Sequence, residues 1–397
     1  MSAPEMSRRE SAPVVPRLKI AVLNRVFSNA GGGAESYSIA LVEQLAERHD
    51  IHVFAQRIRH DCPRVAYHQI SEPLRKPRWV NQLWFAAATW WATRRGFDVV
   101  HSHENTWHGN VQTAHVVPVK YNLFKGQTGW RRALRWLKVV TSPRLLTYLW
   151  LERVRYQPRP GRRVVVTSAS LQAIMAATYP ASASITSIIT PGILMPKHEI
   201  TDAVRQQARS WLGLPPTAHC LLLVGHDYRK KGLPSMLEAL HELPDDVVLA
   251  VVGNLAQAAA FRTVLQRLGL VDRVFFLGAL NDMTPAYQAA DCLVHPTLED
   301  TFAMVVLEAM AHGLPVVVSG PMYCGISGLL QHEVNAMILD NPRSVSEISQ
   351  AVQRVLDNPT LRNGLVERGT QFARLFQWRE IAKLQETLYL SVSGQTA

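Results

Sequence analysis

CLLLVGHDYRKKGLPSMLEALHELPDDVVLAVVG, Cys220 to Gly253, is the stretch that decides the fold. Its runs CLLLVG and VVLAVVG are short, apolar throughout and bounded by turns, the pattern of strands buried on both faces. Between them stand a polar turn and a helix opening at Gly232. The unit recurs downstream as RVFFLG (Arg273–Gly278), a helix to Ala290, DCLVHP (Asp291–Pro296), a helix from Thr301, LPVVVSG (Leu314–Gly320) and further helices. Repeated βα units of this kind predict a doubly wound parallel sheet.

Upstream the pattern appears a second time. LKIAVLN (Leu18–Asn24), a Gly-rich turn, an amphipathic helix from Ala34 to Arg48 and IHVFA (Ile51–Ala55) make one unit. FDVVHSH (Phe97–His103), GNVQTAHV (Gly109–Val116), a long helical pattern from Gly129 to Tyr156 and VVVTS (Val164–Ser168) continue it. The proline and glycine of ITPGILMP (Ile189–Pro196) punctuate a linker. The expected division is a disordered tail at 1–16, a Rossmann-like domain at 17–194, a second at 195–375, and a helix at 376–397 that packs back on the first. Two α/β domains so joined face a central cleft, where the C-terminal ends of their strands receive ligands.

At 397 residues the chain is long enough for two full cores. Its most apolar stretch, Leu83 to Ala92, is about half a bilayer span, and no secretory leader is read at the start, so a cytoplasmic location is expected. Cys62, Cys220, Cys292 and Cys324 form no CxxC pair, which argues against a disulfide framework or structural zinc. His101, His103 and His115 close neighbouring strand-like segments, but spacing alone does not make a metal site, and no metal or other cofactor is expected.

Chemistry concentrates in three turns. In HPTLEDTFAMVVLEAMAHGLPVVVS (His295–Ser319) a strand ends in a polar turn before a helix. The backbone amides of Thr301, Phe302, Ala303 and Met304 there suit an anion such as a diphosphate. Asp300 is read as an acceptor for sugar hydroxyls and Glu308, an expensive idle carboxylate in an apolar helix, for a ribose diol; a plain helix cap and a surface charge are the alternatives. In VGHDYRKKG, Arg229, Lys230 and Lys231 gather at a strand end, where cations neutralise a diphosphate leaving group. In NAGGGAESYS, Gly31 and Gly33 fit a dinucleotide fingerprint, but Ser36 stands where its last glycine belongs, which disfavours a nicotinamide oxidoreductase.

The order of GGGAE, VQTAH, ITPGI, GHDYRKKG, RVFFLG, EDTFAMVVLEAMAHGLPVVVS and a terminal QW-bearing helix resembles the retaining GT-B glycosyltransferases, the family of mannosyltransferases, sucrose synthases and lipopolysaccharide core enzymes. The resemblance spans residues 18–392. VGHDYRKKG, ITPGI and Cys324–Ser327 are most similar to the lipopolysaccharide core glucosyltransferase I group. It implies an enzyme that moves a hexose, with retained configuration and no metal, from a nucleotide sugar such as UDP-glucose to a glycan or glycolipid acceptor. Lys231, Lys230, Asp300 and His115 would be catalytic. Gly32, Gly33, Arg229, Thr301, Phe302, Ala303, Met304, Glu308, Gly325 and Ile326 would hold the donor. Asp300 stands where the family more often has Glu, Ala303 where Gly is common, and His226 where many members have Arg. His115 falls where the core glucosyltransferase group has Asp. A GT-B sugar-nucleotide epimerase and a catalytically silent nucleotide- or carbohydrate-binding protein are the rival readings.

Charge is unevenly spread. Residues 1–190 carry 26 Lys and Arg against 11 Asp and Glu, the remainder 16 against 20. From Lys120 to Arg163 there are 12 basic residues and one acid, Glu152, interleaved with aromatic rings. Trp130, Arg131, Arg132, Arg135 and Trp136 are read as a membrane or acceptor surface. A partner with an anionic membrane face is expected, on the inner side of the cell membrane, and no nucleic acid, because no nucleic-acid module accompanies the charge.

Overall fold

The computed structural model describes residues 16–28, 33–74, 76–196 and 200–394. Nearly all of the tail expected at 1–16 lies outside these residues, as do Gly31 and Gly32. The first half runs β1 (Lys19–Leu23), β2 (Val26–Ser28), α1 (Gly33–Leu45), β3 (Asp50–Ala55), β4 (Arg57–Arg59), β5 (Val65–Gln69), α2 (Arg78–Thr93), β6 (Val99–Ser102) and β7 (Val111–Ala114). It continues through α3 (Val119–Phe124), α4 (Gly129–Val140), α5 (Pro143–Arg155), β8 (Arg163–Val166), α6 (Ala169–Thr178) and β9 (Thr186–Ile188). Among the described residues its main sheet has seven strands in the order β5-β3-β1-β6-β7-β8-β9, all parallel.

The second half runs α7 (Asp202–Leu212), β10 (His219–Gly225), α8 (Leu233–Glu242), β11 (Val247–Gly253), α9 (Arg262–Leu268), β12 (Val274–Gly278), α10 (Thr284–Ala289) and β13 (Cys292–His295). Then come α11 (Met304–Ala311), β14 (Val316–Ser319), β15 (Met337–Leu339), α12 (Val345–Asp357), α13 (Pro359–Arg374) and α14 (Trp378–Ser393). Its sheet is also parallel, in the order β12-β11-β10-β13-β14-β15. All seven residues of β11 are buried, as a strand covered on both faces requires. The chain is thus two Rossmann-like α/β domains on either side of a central cleft.

Some boundaries differ from those the sequence suggests. The helical pattern from Gly129 to Tyr156 is two helices, α4 and α5, because Pro143 cannot continue a helix and instead starts one, with Ser142 Oγ accepting the amide hydrogen of Leu145. The helix expected at Thr301 opens at Met304, after a turn built by Asp300. The edge strands β5, β9 and β15 are too short or too mixed to stand out in the sequence. Cys220, Cys292 and Cys324 are buried free thiols, and Cys62 is half-buried.

Two features fix the halves to one another. Ile193 and Trp378 exchange backbone hydrogen bonds with neighbours across the linker (Ile193 N to Phe376 O, 2.7 Å; Trp378 N to Ile193 O, 3.2 Å). From there α14 lays Trp378, Ile381 and Tyr389 into the core of the first domain. At the cleft, Met304 packs against both cores, and Thr301 Oγ1 donates to the backbone carbonyl of His115 at 2.9 Å. Gly232 holds the turn after β10 with φ of 80°, and a Cβ there would fall 1.9 Å from the carbonyl oxygen of Pro296, so only glycine allows these two loops to meet.

A row of histidines sits beneath the cleft edge of the first sheet. His101 lies between Tyr389 Oη and Thr113 Oγ1, both at 2.6 Å, and His103 Nδ1 is 2.8 Å from His115 Nε2. Burial holds His101 and His115 down to about 3 and His108 to about 4. Each folded value lies below the unfolded one, so as pH falls through 6.5 the unfolded chain takes up protons that the native chain refuses. Stability is therefore full above pH 7 and declines below it by about 1.4 kcal/mol per pH unit for each histidine. Urea unfolding at pH 7.0 and 5.5 is expected to show a loss of several kcal/mol; equal stability at the two values would contradict neutral burial of this row.

Candidate active site

The order of the second sheet reverses between β10 and β13, and the loops leaving these two strands carry Lys231 and Asp300. In open α/β sheets the crevice at such a switch point is where ligands bind. Asp300 is held on every side. Its backbone N–H donates to Tyr323 O at 2.8 Å and its carbonyl accepts from Gly325 N at 3.0 Å. Oδ1 accepts the amide hydrogens of Phe302 (3.3 Å) and Ala303 (2.9 Å). Oδ2 is paired with Lys231 Nζ and lies 3.2 Å from His295 Nε2. Burial pushes this carboxyl up, but the His295 hydrogen bond and the Lys231 charge outweigh it and hold it well below the usual carboxylate range. Burial in turn lowers His295, which stays a neutral donor.

The expectation of four free amides from Thr301 to Met304 needs correction, because Asp300 itself occupies those of Phe302 and Ala303. Asp300 is not the N-cap of α11, which is Ala303: one of its oxygens closes the turn before the helix and the other faces the cation. Ala303, the N-cap of α11, has φ of 71°, a left-handed conformation that explains why glycine suits this position. Phe302 is buried, and its carbonyl accepts from Ile326 N at 2.9 Å, so the turn and the Gly325–Leu329 segment are joined through backbone. Ile326 is itself fully buried.

Glu308 lies one turn further along α11, half-buried, with Oε2 accepting from Tyr287 Oη at 2.5 Å. Burial raises this carboxyl, offset in part by the tyrosine hydrogen bond. Tyr287, on α10, and His295, the last residue of β13, are both buried in the core, and the sequence alone did not mark either as part of the site. Lys231 thus joins Asp300, His295 and the Thr301 turn, while its neighbours diverge. Lys230 is exposed and pairs with Glu299 at 2.9 Å, and the Arg229 guanidinium lies 5.5 Å over the ring of Phe261. On the facing domain, the half-buried ring of His115 packs edge-on against Tyr37, with centroids 5.0 Å apart. Gly33 opens α1 beside Met304, whose Sδ would lie 3.7 Å from a Cβ placed there.

The remaining candidates form a separate surface. Trp130, Arg131, Arg132, Arg135 and Trp136 all belong to α4, of which Val139 alone is buried. Trp136 leans on Phe124 and Arg132 lies over the same ring, so these two are partly spent on packing. Among the described residues, no group of three His, Cys, Asp or Glu side chains is placed to hold a metal ion, and no helix is long and apolar enough to cross a membrane.

Residues 204–372 match the family described as "Glycosyl transferases group 1", and residues 31–193 match "Glycosyltransferase Family 4". Among curated proteins the chain is similar to lipopolysaccharide glucosyltransferase WaaG of Escherichia coli (strain K12), 25% identical over 233 residues, 57% of this chain and 61% of that protein. It spans 47% and 48% of the next two such relatives. The crystal structure of WaaG, a glycosyltransferase involved in lipopolysaccharide biosynthesis, has the same fold at a TM-score of 0.79 and 20% identity, covering 93% of this chain and 99% of that one. That of Anabaena Alr3699/HepE in complex with UDP-glucose gives 0.73 at 18% identity, covering 94% and 100%. With each Rossmann-like half matched by a glycosyltransferase family and the two set around one cleft, the chain belongs to the GT-B-fold glycosyltransferases.

Proposed function

We propose that this glycosyltransferase moves a hexose, with retained configuration and without help from a metal, from a nucleoside diphosphate sugar to a lipid-linked or phosphorylated saccharide. The observation that carries the reading is the pairing of Lys231 with Asp300 at the switch point, one turn of helix from the Glu308–Tyr287 pair. Lys231 moves from Asp300 to the diphosphate, neutralising the charge that grows on the leaving oxygen and freeing Oδ2 of Asp300 for a sugar hydroxyl. Glu308, fixed by Tyr287, accepts from the ribose diol. Gly33 and the Gly325–Ile326 segment border the donor through their backbone, the amides of Gly325 and Ile326 being spent on the carbonyls of Asp300 and Phe302, with the Thr301–Met304 turn beside it. Arg229 and Lys230 sit at its outer rim. The first domain, 17–194, serves the acceptor and the second, 195–375, the donor, with 376–397 tying back to the first.

In the reaction the bond from the anomeric carbon to the diphosphate oxygen breaks as the acceptor hydroxyl oxygen bonds to the same face. The departing phosphate oxygen takes the hydroxyl proton. His115, held neutral by burial at the cleft edge, orients that hydroxyl in this reading. The names of the relatives support UDP-glucose as donor and a lipopolysaccharide as acceptor, in keeping with the core saccharide that the sequence resemblance implies. An epimerase needs no acceptor, and a silent binder would show affinity without turnover. Incubation with UDP-glucose and a saccharide acceptor, followed by anomeric analysis of the product, is expected to show an α-linkage from the α-donor; a β-linked product would overturn the front-face route.

The outer surface of α4 supports attachment to an anionic membrane on its cytoplasmic side. Trp130, Leu134 and Leu137, spaced along one face, are 69%, 54% and 58% exposed, and Arg131, Arg135 and Lys138 line the adjoining face. Glu152, the single acid of the basic stretch, is buried, accepting from the amides of Val119 and Lys120, so it does not dilute the surface charge.

Two measurements follow from these roles. Lys231→Ala is expected to lower kcat far more than it weakens UDP binding, whereas Glu308→Gln should weaken UDP binding by about 1 kcal/mol, roughly fivefold. Steady-state kinetics and calorimetry separate the two, and an unchanged kcat in the lysine variant would remove it from the mechanism. Binding to vesicles containing phosphatidylglycerol should fall steeply with salt and with charge reversal at Arg131, Arg132 and Arg135 while UDP affinity stays constant; no binding even at low salt would sink the membrane reading.

A further inference from the structure

The first sheet has its own switch point, and nothing above uses it. Its order reverses between β1 and β6, and the loops leaving these strands carry Arg25 and Glu104. Resting on the acceptor role proposed for this domain, we infer that Arg25 is the anchor for an anionic group, a phosphate monoester or a carboxylate, on the acceptor saccharide.

The frame around Arg25 is built for it. Its Nε donates to Gln56 Oε1 at 3.0 Å and one terminal nitrogen to Gln82 Oε1 at 3.2 Å. Both amides are buried, and each has its NH2 committed elsewhere, Gln56 to Ser71 O at 3.1 Å and Gln82 to Asn105 O at 2.9 Å. Their oxygens therefore cannot turn away from the guanidinium. Neutral amides orient the charge without cancelling it. Glu104 offsets it only in part: its Oε1 accepts the backbone N–H of Arg25 at 3.2 Å and the two charges attract, but no carboxylate of the described residues reaches ion-pair distance of the guanidinium. The second terminal nitrogen makes no hydrogen bond among the described residues, and Arg25 is half-buried. A rigid guanidinium with unused N–H groups, at the ligand-binding edge of a parallel sheet, matches the two oxygens of a phosphate or carboxylate. Glu104, half-buried and short of donors, sets the opposing charge that keeps the crevice from holding simple anions tightly.

The test uses the full chain saturated with UDP and titrates D-glucose, D-glucose 6-phosphate and D-glucuronate by calorimetry. One of the two anions is expected to bind at least about tenfold more tightly than glucose, as a charge-assisted pair predicts, and which one it is identifies the group. Arg25→Gln should erase that preference while leaving glucose affinity as it was. Glu104→Gln should act in the opposite sense and tighten anion binding, which a merely structural arginine would not produce. Equal binding of all three sugars by the natural chain, or a preference that survives Arg25→Gln, overturns the inference. If Arg25→Gln fails to fold, Glu104→Gln decides: tighter anion binding upholds it, and unchanged or weaker binding overturns it. UDP binding in the same titrations separates the two readings, since a chain that binds UDP without anion preference loses this inference alone, and one that does not bind UDP loses the donor site with it.

Discussion

Parallel strands impose the constraint on which the rest of this molecule depends. Every strand must end at the same edge of its sheet, and the chain must cross back over a face before the next can begin. The loops that leave the strands are thus gathered at one edge, free of the packing that occupies the other. Where the strand order reverses, crossovers go to opposite faces and the two departing loops part. In the second sheet that gap lies between β10 and β13 and is filled by Lys231, Asp300 and His295; in the first it lies between β1 and β6 and is bordered by Arg25 and Glu104. Chemistry is found where backbone hydrogen bonding and core packing leave room for it.

The electrostatics of Asp300 show how such a gap is kept in working order. A buried carboxylate without donors would be neutral or would unfold its surroundings. Here two amides, a neutral imidazole and an ammonium share its two oxygens, so it remains ionised. Three of these partners are fixed by the fold. Lys231 alone is on a flexible stem, which makes it the one contact that a diphosphate can take over without disturbing the turn. Glu308 is arranged differently: a single buried tyrosine orients it and leaves its other oxygen accessible.

The fold was legible because β10, β11, β13 and β14 are apolar runs of strand length that alternate with helical stretches, the pattern of a parallel sheet covered on both faces. Boundaries were less so. Nothing in the amphipathic pattern from Gly129 to Tyr156 distinguishes one helix from two until Pro143 is weighed as a helix start. Within the site, Lys231, Asp300 and Glu308 stand out as charges in apolar settings, whereas His295 and Tyr287 look like ordinary strand and helix residues. Their roles come from partners remote in the chain or from the turn geometry, which periodicity does not carry. Arg25 is hidden for the same reason, since its two amide supports come from the end of β3 and from α2.

The chain passes between its halves twice, once through Ile193 and once through Phe376 and Trp378, and the two passages are hydrogen-bonded side by side. A single tether would act as a ball joint, leaving the domains free to twist and to slide past each other. Paired tethers act as the leaves of a door hinge: they permit swinging about one axis and resist torsion. Opening of the cleft can therefore separate Thr301 from the carbonyl of His115 and still bring the same two atoms back into register on every closure.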